Sequence, residues 1–199
     1  MEEIPPFEYD EGLSAVQREF ADVLAARANS WPVDPLSTVL LPPPHTPYRQ
    51  LLVYVDIDDP ERNQGVLTVG AHFDGATVRA DKLHNQNFTL PEAATGFTFA
   101  ATGGPTEAAN RTADWFEAVL ARPLVRCEWL HAGRTYAVRY EYADTGRGLS
   151  EGFEDALAPP ALRERLVAEG VVRGRGRING AGLGEPDRVV QVRGRPLAA

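Results

Sequence analysis

One stretch, Pro105 to Tyr142, changes its hydrophobic period midway, and that change constrains the fold more than anything else in the chain. Ala108, Thr112, Trp115, Phe116 and Val119 recur at i, i+4, i+7, i+8 and i+11, the spacing of one helix face, with Glu107, Asn110, Arg111, Asp114 and Glu117 on the other side. Pro105 suits the first turn of that helix, where its missing N–H costs nothing. From Val125 the period becomes two. Val125, Cys127 and Trp129 alternate with Arg126 and Glu128, and Tyr136, Val138, Tyr140 and Tyr142 alternate with Thr135, Ala137, Arg139 and Glu141. His131, Ala132 and Gly133 supply the turn. The spacing predicts a helix running into a long antiparallel hairpin, whose Trp- and Tyr-rich face is expected to pack on the Trp115 and Phe116 face of the helix.

The same alternation recurs upstream. In Gln50 to Ile57, Leu51, Val53, Val55 and Ile57 face inward, while Leu52, Tyr54, Asp56 and Asp58 face the other way. Val66 to Phe73 repeats the pattern, with Leu67, Val69, Ala71 and Phe73 inward and Thr68, Gly70 and His72 outward. Asp74-Gly75 reads as a two-residue hairpin turn, because a type I′ turn needs positive φ at both positions. That turn sets His72 opposite Thr77 and Gly70 opposite Arg79. A solvated outer face of Tyr54, Asp56, Asp58, His72, Thr77, Arg79 and Asp81 is therefore expected. The polar stretch 83–91 crosses an edge before a strand near Thr95 to Ala101, with Phe97 and Phe99 on one side.

The chain opens with an acidic lead, read as disordered, and then a helix from about Leu13 to Ala28, with Leu13, Val16, Phe20, Val23 and Leu24 on one stripe and Ser14-x-x-Gln17 as a capping box. Six prolines between Trp31 and Pro47 predict an extended connection with little regular structure. After the hairpin come a loop over 144–148, a short helical turn near Glu151 to Leu157, and a helix begun by Pro159-Pro160 and ended at Gly170. Val171 to Ile178 and Arg188 to Arg193 could close a terminal hairpin. These elements add up to an α+β fold, an antiparallel β-sheet built from hairpins with two to three helices packed mainly on one face. The expected organisation is residues 1–47 as N-terminal helix and Pro-rich crossing segment, 48–170 as main domain and 171–199 as Gly/Arg-rich hairpin or tail.

Charge is unevenly spread. The chain of 199 residues has a net charge of −8, and residues 1–100 carry 6 Lys+Arg against 15 Asp+Glu, whereas residues 101–199 carry 14 against 13. A negative field argues against nucleic-acid binding, which needs phosphate neutralisation. No run reaches the ~18 apolar residues of a membrane span. The first residues lack a basic and then apolar leader, and one cysteine cannot form an internal disulfide, so a cytoplasmic setting is expected. Nearly all basic residues are arginine, which with abundant Ala, Gly and Pro suggests a GC-rich bacterial genome.

Each motif was weighed against its surroundings. His72, Asp56 and Arg79 form the one face where strand geometry gathers mixed ionisable groups, giving a general acid–base pair with an anion holder if the protein is an enzyme. His72 and Asp74 lack a third metal ligand at a diagnostic spacing, and Asp58, Asp59 and Glu61 do not fit a calcium loop. Gly148-Leu-Ser150-Glu-Gly152 matches a nucleophile elbow, but no histidine follows it. Gly180-Ala-Gly182-Leu-Gly184 lacks the strand and helix of a dinucleotide loop. Cys127 reads as a buried thiol. Arg173, Arg175 and Arg177 share one side of an extended segment without interleaved aromatics for base stacking. No cofactor or metal is called for. The reading favours a non-catalytic cytoplasmic binding or accessory protein, inhibitor- or immunity-like, whose face of Tyr54, Asp56, Asp58, His72, Thr77 and Arg79 meets a basic protein partner. The alternative is a small-molecule enzyme or ligand-binding domain using the His72/Asp56 pair and Arg79.

Overall fold

The structure is a computed structural model and describes residues 5–9, 12–84, 87–169 and 182–195. Among these residues there are three α-helices and two antiparallel sheets, an α+β fold. The chain divides into two compact units, residues 1–120 and 121–199.

The first unit contains α1 (Ala15–Ala28), β1 (Thr38–Leu41), β2 (Leu51–Asp59), β3 (Gln64–Phe73), β4 (Thr77–Lys82), β5 (Phe99–Thr102) and α2 (Pro105–Leu120). Its strands run in the order β1-β2-β3-β4-β5, each antiparallel to the next. Both helices serve the inward face foreseen from the alternation: Phe20 of α1 stacks on Phe73 of β3 at 4.3 Å, and Trp115 of α2 stacks on Phe99 at 5.9 Å while its indole N–H donates to the Phe97 carbonyl at 2.9 Å. Ser14 and Gln17 form the expected capping box at the start of α1, satisfying backbone N–H groups that a helix end leaves open. Val16, placed on the buried stripe by its spacing, is instead exposed because the stripe narrows to Phe20, Ala21, Leu24 and Ala28.

Two readings of the N-terminal region change. Phe7, in the lead taken as disordered, is 1% exposed; its ring meets Trp31 edge-on at 5.9 Å and Phe116 at 6.2 Å. The Pro-rich crossing segment holds a strand after all, since β1 pairs with β2 from Thr38↔Val55 to Leu41↔Leu52. The strand forms because its four residues contain no proline, the prolines at 35 and 42 standing outside it. The helix face of Trp115 and Phe116 meets Phe7, Trp31 and Phe99 within the first unit.

The second unit contains β6 (Leu124–His131), β7 (Arg134–Tyr142), β8 (Arg147–Phe153), α3 (Pro160–Ala168) and β9 (Arg188–Arg193), with strand order β8-β7-β6-β9. The β6–β7 turn is Ala132-Gly133, both at positive φ as a two-residue hairpin turn requires. Cys127, Trp129, Tyr136, Ala137 and Phe153 pack with Ala158 and Leu166 in one core. The loop and helical turn expected over 144–157 resolve into β8, followed by a 3-10 turn at Asp155–Leu157. Arg126 and Glu128, which alternate with Val125, Cys127 and Trp129, are themselves buried. Glu128 is 0% exposed and accepts from Arg126 Nε at 2.7 Å and Arg188 Nε at 2.6 Å, so one carboxylate is neutralised by two guanidinium groups. Gly170 and Val171–Ile178 lie outside the described residues.

Phe116 joins the Phe7–Trp31 cluster and is wholly buried, whereas Trp115 is only half-buried. Phe116→Ala should therefore lower unfolding free energy by ~3–5 kcal/mol, more than Trp115→Ala, as measured by urea denaturation. The reverse order would refute this account of the core.

Candidate functional site

The face of β2, β3 and β4 turned away from the helices carries every candidate residue, but it is not a solvated sheet. The turn between β3 and β4 is centred on Gly75-Ala76. Asp74 N–H donates to the Thr77 carbonyl at 3.2 Å, and Asp74 Oδ1 accepts from the amides of Ala76 and Thr77 at 3.0 and 2.7 Å. Aspartate thus closes the turn with its side chain, and Gly75 takes the positive φ of 110°. The register shifts by two from the expected one, so His72 faces Arg79 and Gly70 faces Asp81. A two-residue shift keeps every side chain on its face, so the membership of the face survives while its pairing changes.

The middle of this face is covered. After β4, Leu83 N–H donates to the Thr68 carbonyl at 2.9 Å, and the Phe88 ring lies on Tyr54 at 5.0 Å between centroids. Leu90 N–H donates to the Tyr48 hydroxyl at 3.1 Å, and the Tyr48 ring meets His72 edge-on at 4.6 Å. Gly70 makes this approach feasible: a Cβ there would stand 2.6 Å from Leu83 Cδ1, 2.8 Å from Tyr54 Cβ and 2.9 Å from the Val53 carbonyl oxygen.

His72 is consequently 1% exposed. Its Nε2 lies 3.1 Å from the Phe88 carbonyl, which can only accept, so Nε2 carries the proton. Nδ1 is buried without a hydrogen-bond partner among the described residues. Burial lowers the His72 pKa below its ordinary value, against the Phe88 hydrogen bond and with the help of the Arg79 charge. Asp56 sits four strand positions from Leu52, the residue paired with His72, which is roughly 13 Å along the strand at ~3.3 Å per residue. Asp56 therefore does not orient the imidazole. Arg79, exposed on β4, has no hydrogen bond or ion pair among the described residues.

The acidic end of the face lies beyond Tyr54. Asp56 accepts from the Thr68 hydroxyl at 2.5 Å, and its pKa is raised by burial and by Asp58 despite that bond. Burial and the Asp56 charge likewise raise the Tyr54 pKa. Asp58 accepts from the Ser37 hydroxyl at 3.0 Å. Ser37 ends the 3-10 turn that begins at Pro35, whose Asp34 cap accepts from Leu36 N–H at 2.9 Å. Leu36, the middle residue of that turn, is 70% exposed. Asp81, by contrast, is spent inside the fold: it accepts from Lys82 N–H at 2.7 Å, from Thr98 Oγ1 at 2.5 Å and from the Thr95 hydroxyl.

The remaining motifs resolve as structure. Ser150 pairs with Tyr140 inside β8, so Gly148–Gly152 is a strand and not an elbow between strand and helix. Burial, then Glu141, pushes the Cys127 thiol up to about 11, which keeps it protonated at neutral pH. No group of three His, Cys, Asp or Glu among the described residues could hold a metal ion, and no described helix is long and apolar enough to cross a membrane. Arg173, Arg175, Arg177 and Gly180 lie outside the described residues. Sequence reasoning missed Leu36, Tyr48 and Phe88, which sit in segments without periodicity. Comparison with family models, curated proteins and solved structures finds no match to this chain.

Because the Val53 carbonyl and Tyr54 Cβ cannot yield as a flexible side chain can, Gly70→Ala should cost ~1–3 kcal/mol. Thermal and urea unfolding read this directly. A neutral result would show that β2 and Leu83 do not close on β3 at Gly70.

Proposed function

We propose that the protein is a non-catalytic binding or accessory protein of the bacterial cytoplasm, inhibitor- or immunity-like, whose acidic sheet end meets a basic surface on a partner protein. The observation that carries this reading is the match between charge and architecture. Residues 1–120, one compact unit, hold 7 Lys+Arg against 18 Asp+Glu, a balance of −11, while residues 121–199 hold 13 against 10, a balance of +3. A field of one sign over one unit speeds encounter with an oppositely charged surface and rejects others.

Local geometry supports the same end of the sheet. Leu36 is exposed in the turn that Asp34 caps, and the next residue, Ser37, donates to Asp58. An exposed apolar side chain in a segment tied to carboxylates suits an interface in which burial of the anchor sets the lifetime and the charges set the rate of encounter. The separation of His72 from Asp56 favours this reading over an acid–base pair.

The test is affinity capture followed by binding kinetics with the captured partner, comparing wild type with Asp56→Lys/Asp58→Lys and with Leu36→Ala. The charge reversal should slow association about tenfold at low salt, with the difference shrinking as salt rises. Leu36→Ala should speed dissociation. Equal kinetics for all three, with unfolding profiles unchanged, would sink the proposal.

A further inference from the structure

We propose that His72 is a proton-sensitive latch holding the Asn87–Leu90 segment against the five-stranded sheet, and that mild acidification releases the segment and uncovers the Tyr54 ring. Both anchors of the segment converge on this imidazole. Phe88 gives its carbonyl to Nε2 and its ring to Tyr54, while Leu90 donates to Tyr48, whose ring edge contacts His72. A change at the imidazole therefore reaches both attachments at once.

The neutral ring fits this site and the cation does not. With Nε2–H given to the Phe88 carbonyl, Nδ1 holds only a lone pair, and its burial without a partner is tolerable. Protonation puts a second N–H there with no acceptor among the described residues and sets a cation beside Arg79. No carboxylate of the described residues compensates. From β2 the facing residue is Leu52, from β4 it is Arg79, from the preceding loop Tyr48, and from the segment the Phe88 carbonyl; His84, at its edge, is exposed. Asp81, at the next position of β4 on this face, is engaged by Thr95 and Thr98.

The direction of the pH effect follows from linkage. A histidine whose pKa is lowered in the closed form stabilises that form fully above its ordinary value of 6.5 and loses this contribution as pH falls from there toward the lowered value. Within that window each pH unit shifts the closed-to-open ratio by about tenfold. Opening is local because Phe88, Thr89 and Leu90 are half-buried, whereas Val53 and Val55, on the opposite face of β2, are at 0% exposure.

Amide hydrogen exchange of the whole chain between pH 7.5 and 5, corrected for intrinsic rates, tests the latch. Protection at Phe88 and Leu90 should fall about tenfold per pH unit below ~6.5, while Val53 and Val55 hold. In His72→Gln, whose amide can still donate to the Phe88 carbonyl, the profile should be flat. A flat wild-type profile, or an equal fall in His72→Gln, overturns the proposal. Should His72→Gln fail to fold, the wild-type profile decides alone: loss confined to Phe88 and Leu90 supports the latch, and equal loss at all four amides overturns it.

Discussion

Strand β2 has to bury both of its faces, and much of the first unit follows from that constraint. Leu51, Val53 and Val55 are fully buried on one side, and Leu52 on the other. A sheet in water can leave one face polar, but an apolar residue in the middle of the second face calls for a second layer. Helices supply the first cover, through Phe20 on Phe73 and Trp115 on Phe99. The second is supplied by irregular chain carrying aromatics, with Phe88 on Tyr54 and Tyr48 on His72. The polar character of the second face is thereby pushed to its ends, carboxylates beyond Tyr54 and Arg79 beside the β3–β4 turn.

Charge is handled by different means in the two units. In the first, Arg27 of α1 clasps α2: its guanidinium donates to Asp114 and Glu117, while Trp31 Nε1–H also donates to Glu117. These groups remain partly solvated, so their contribution is modest and screened by salt. In the second unit Glu128 is removed from water entirely, and the guanidinium groups of Arg126 and Arg188 replace its hydration. Arg188 comes from β9, sixty residues away, so the pairing of β9 with β6 brings the counter-ion to the buried carboxylate.

The regular parts of this fold were legible because they are periodic. The α2 helix, the β6–β7 hairpin, the alternation in β2 and β3, and the Ser14–Gln17 capping box all follow from local spacing. What spacing cannot express is which nonlocal surface lands on a face. Arg126 and Glu128 alternate like solvated residues, yet they are buried because Arg188 arrives from elsewhere. His72 looked open to solvent because nothing in the aperiodic stretch 83–91 announces that Phe88 folds back on Tyr54. Gly70 carried the available hint: a glycine inside a strand often marks a close approach, and here Leu83 and Tyr54 make it. The members of the candidate face were thus readable, and their exposure was not.

The β3–β4 turn shows why membership survives an error in pairing. Asp-Gly is a strong two-residue turn signal, but Asp74 closes the turn by accepting from the Ala76 and Thr77 amides, which moves the bend onto Gly75-Ala76. Every cross-strand partner then moves by two residues, and a period-two structure returns each side chain to the same side. The chemistry is less forgiving than the patterning. At the expected register His72 would have faced the neutral hydroxyl of Thr77; at the observed one it faces the cation of Arg79, which disfavours its protonation. A shift that leaves the hydrophobic pattern untouched therefore adds the Arg79 charge to the burial that already disfavours protonation of His72.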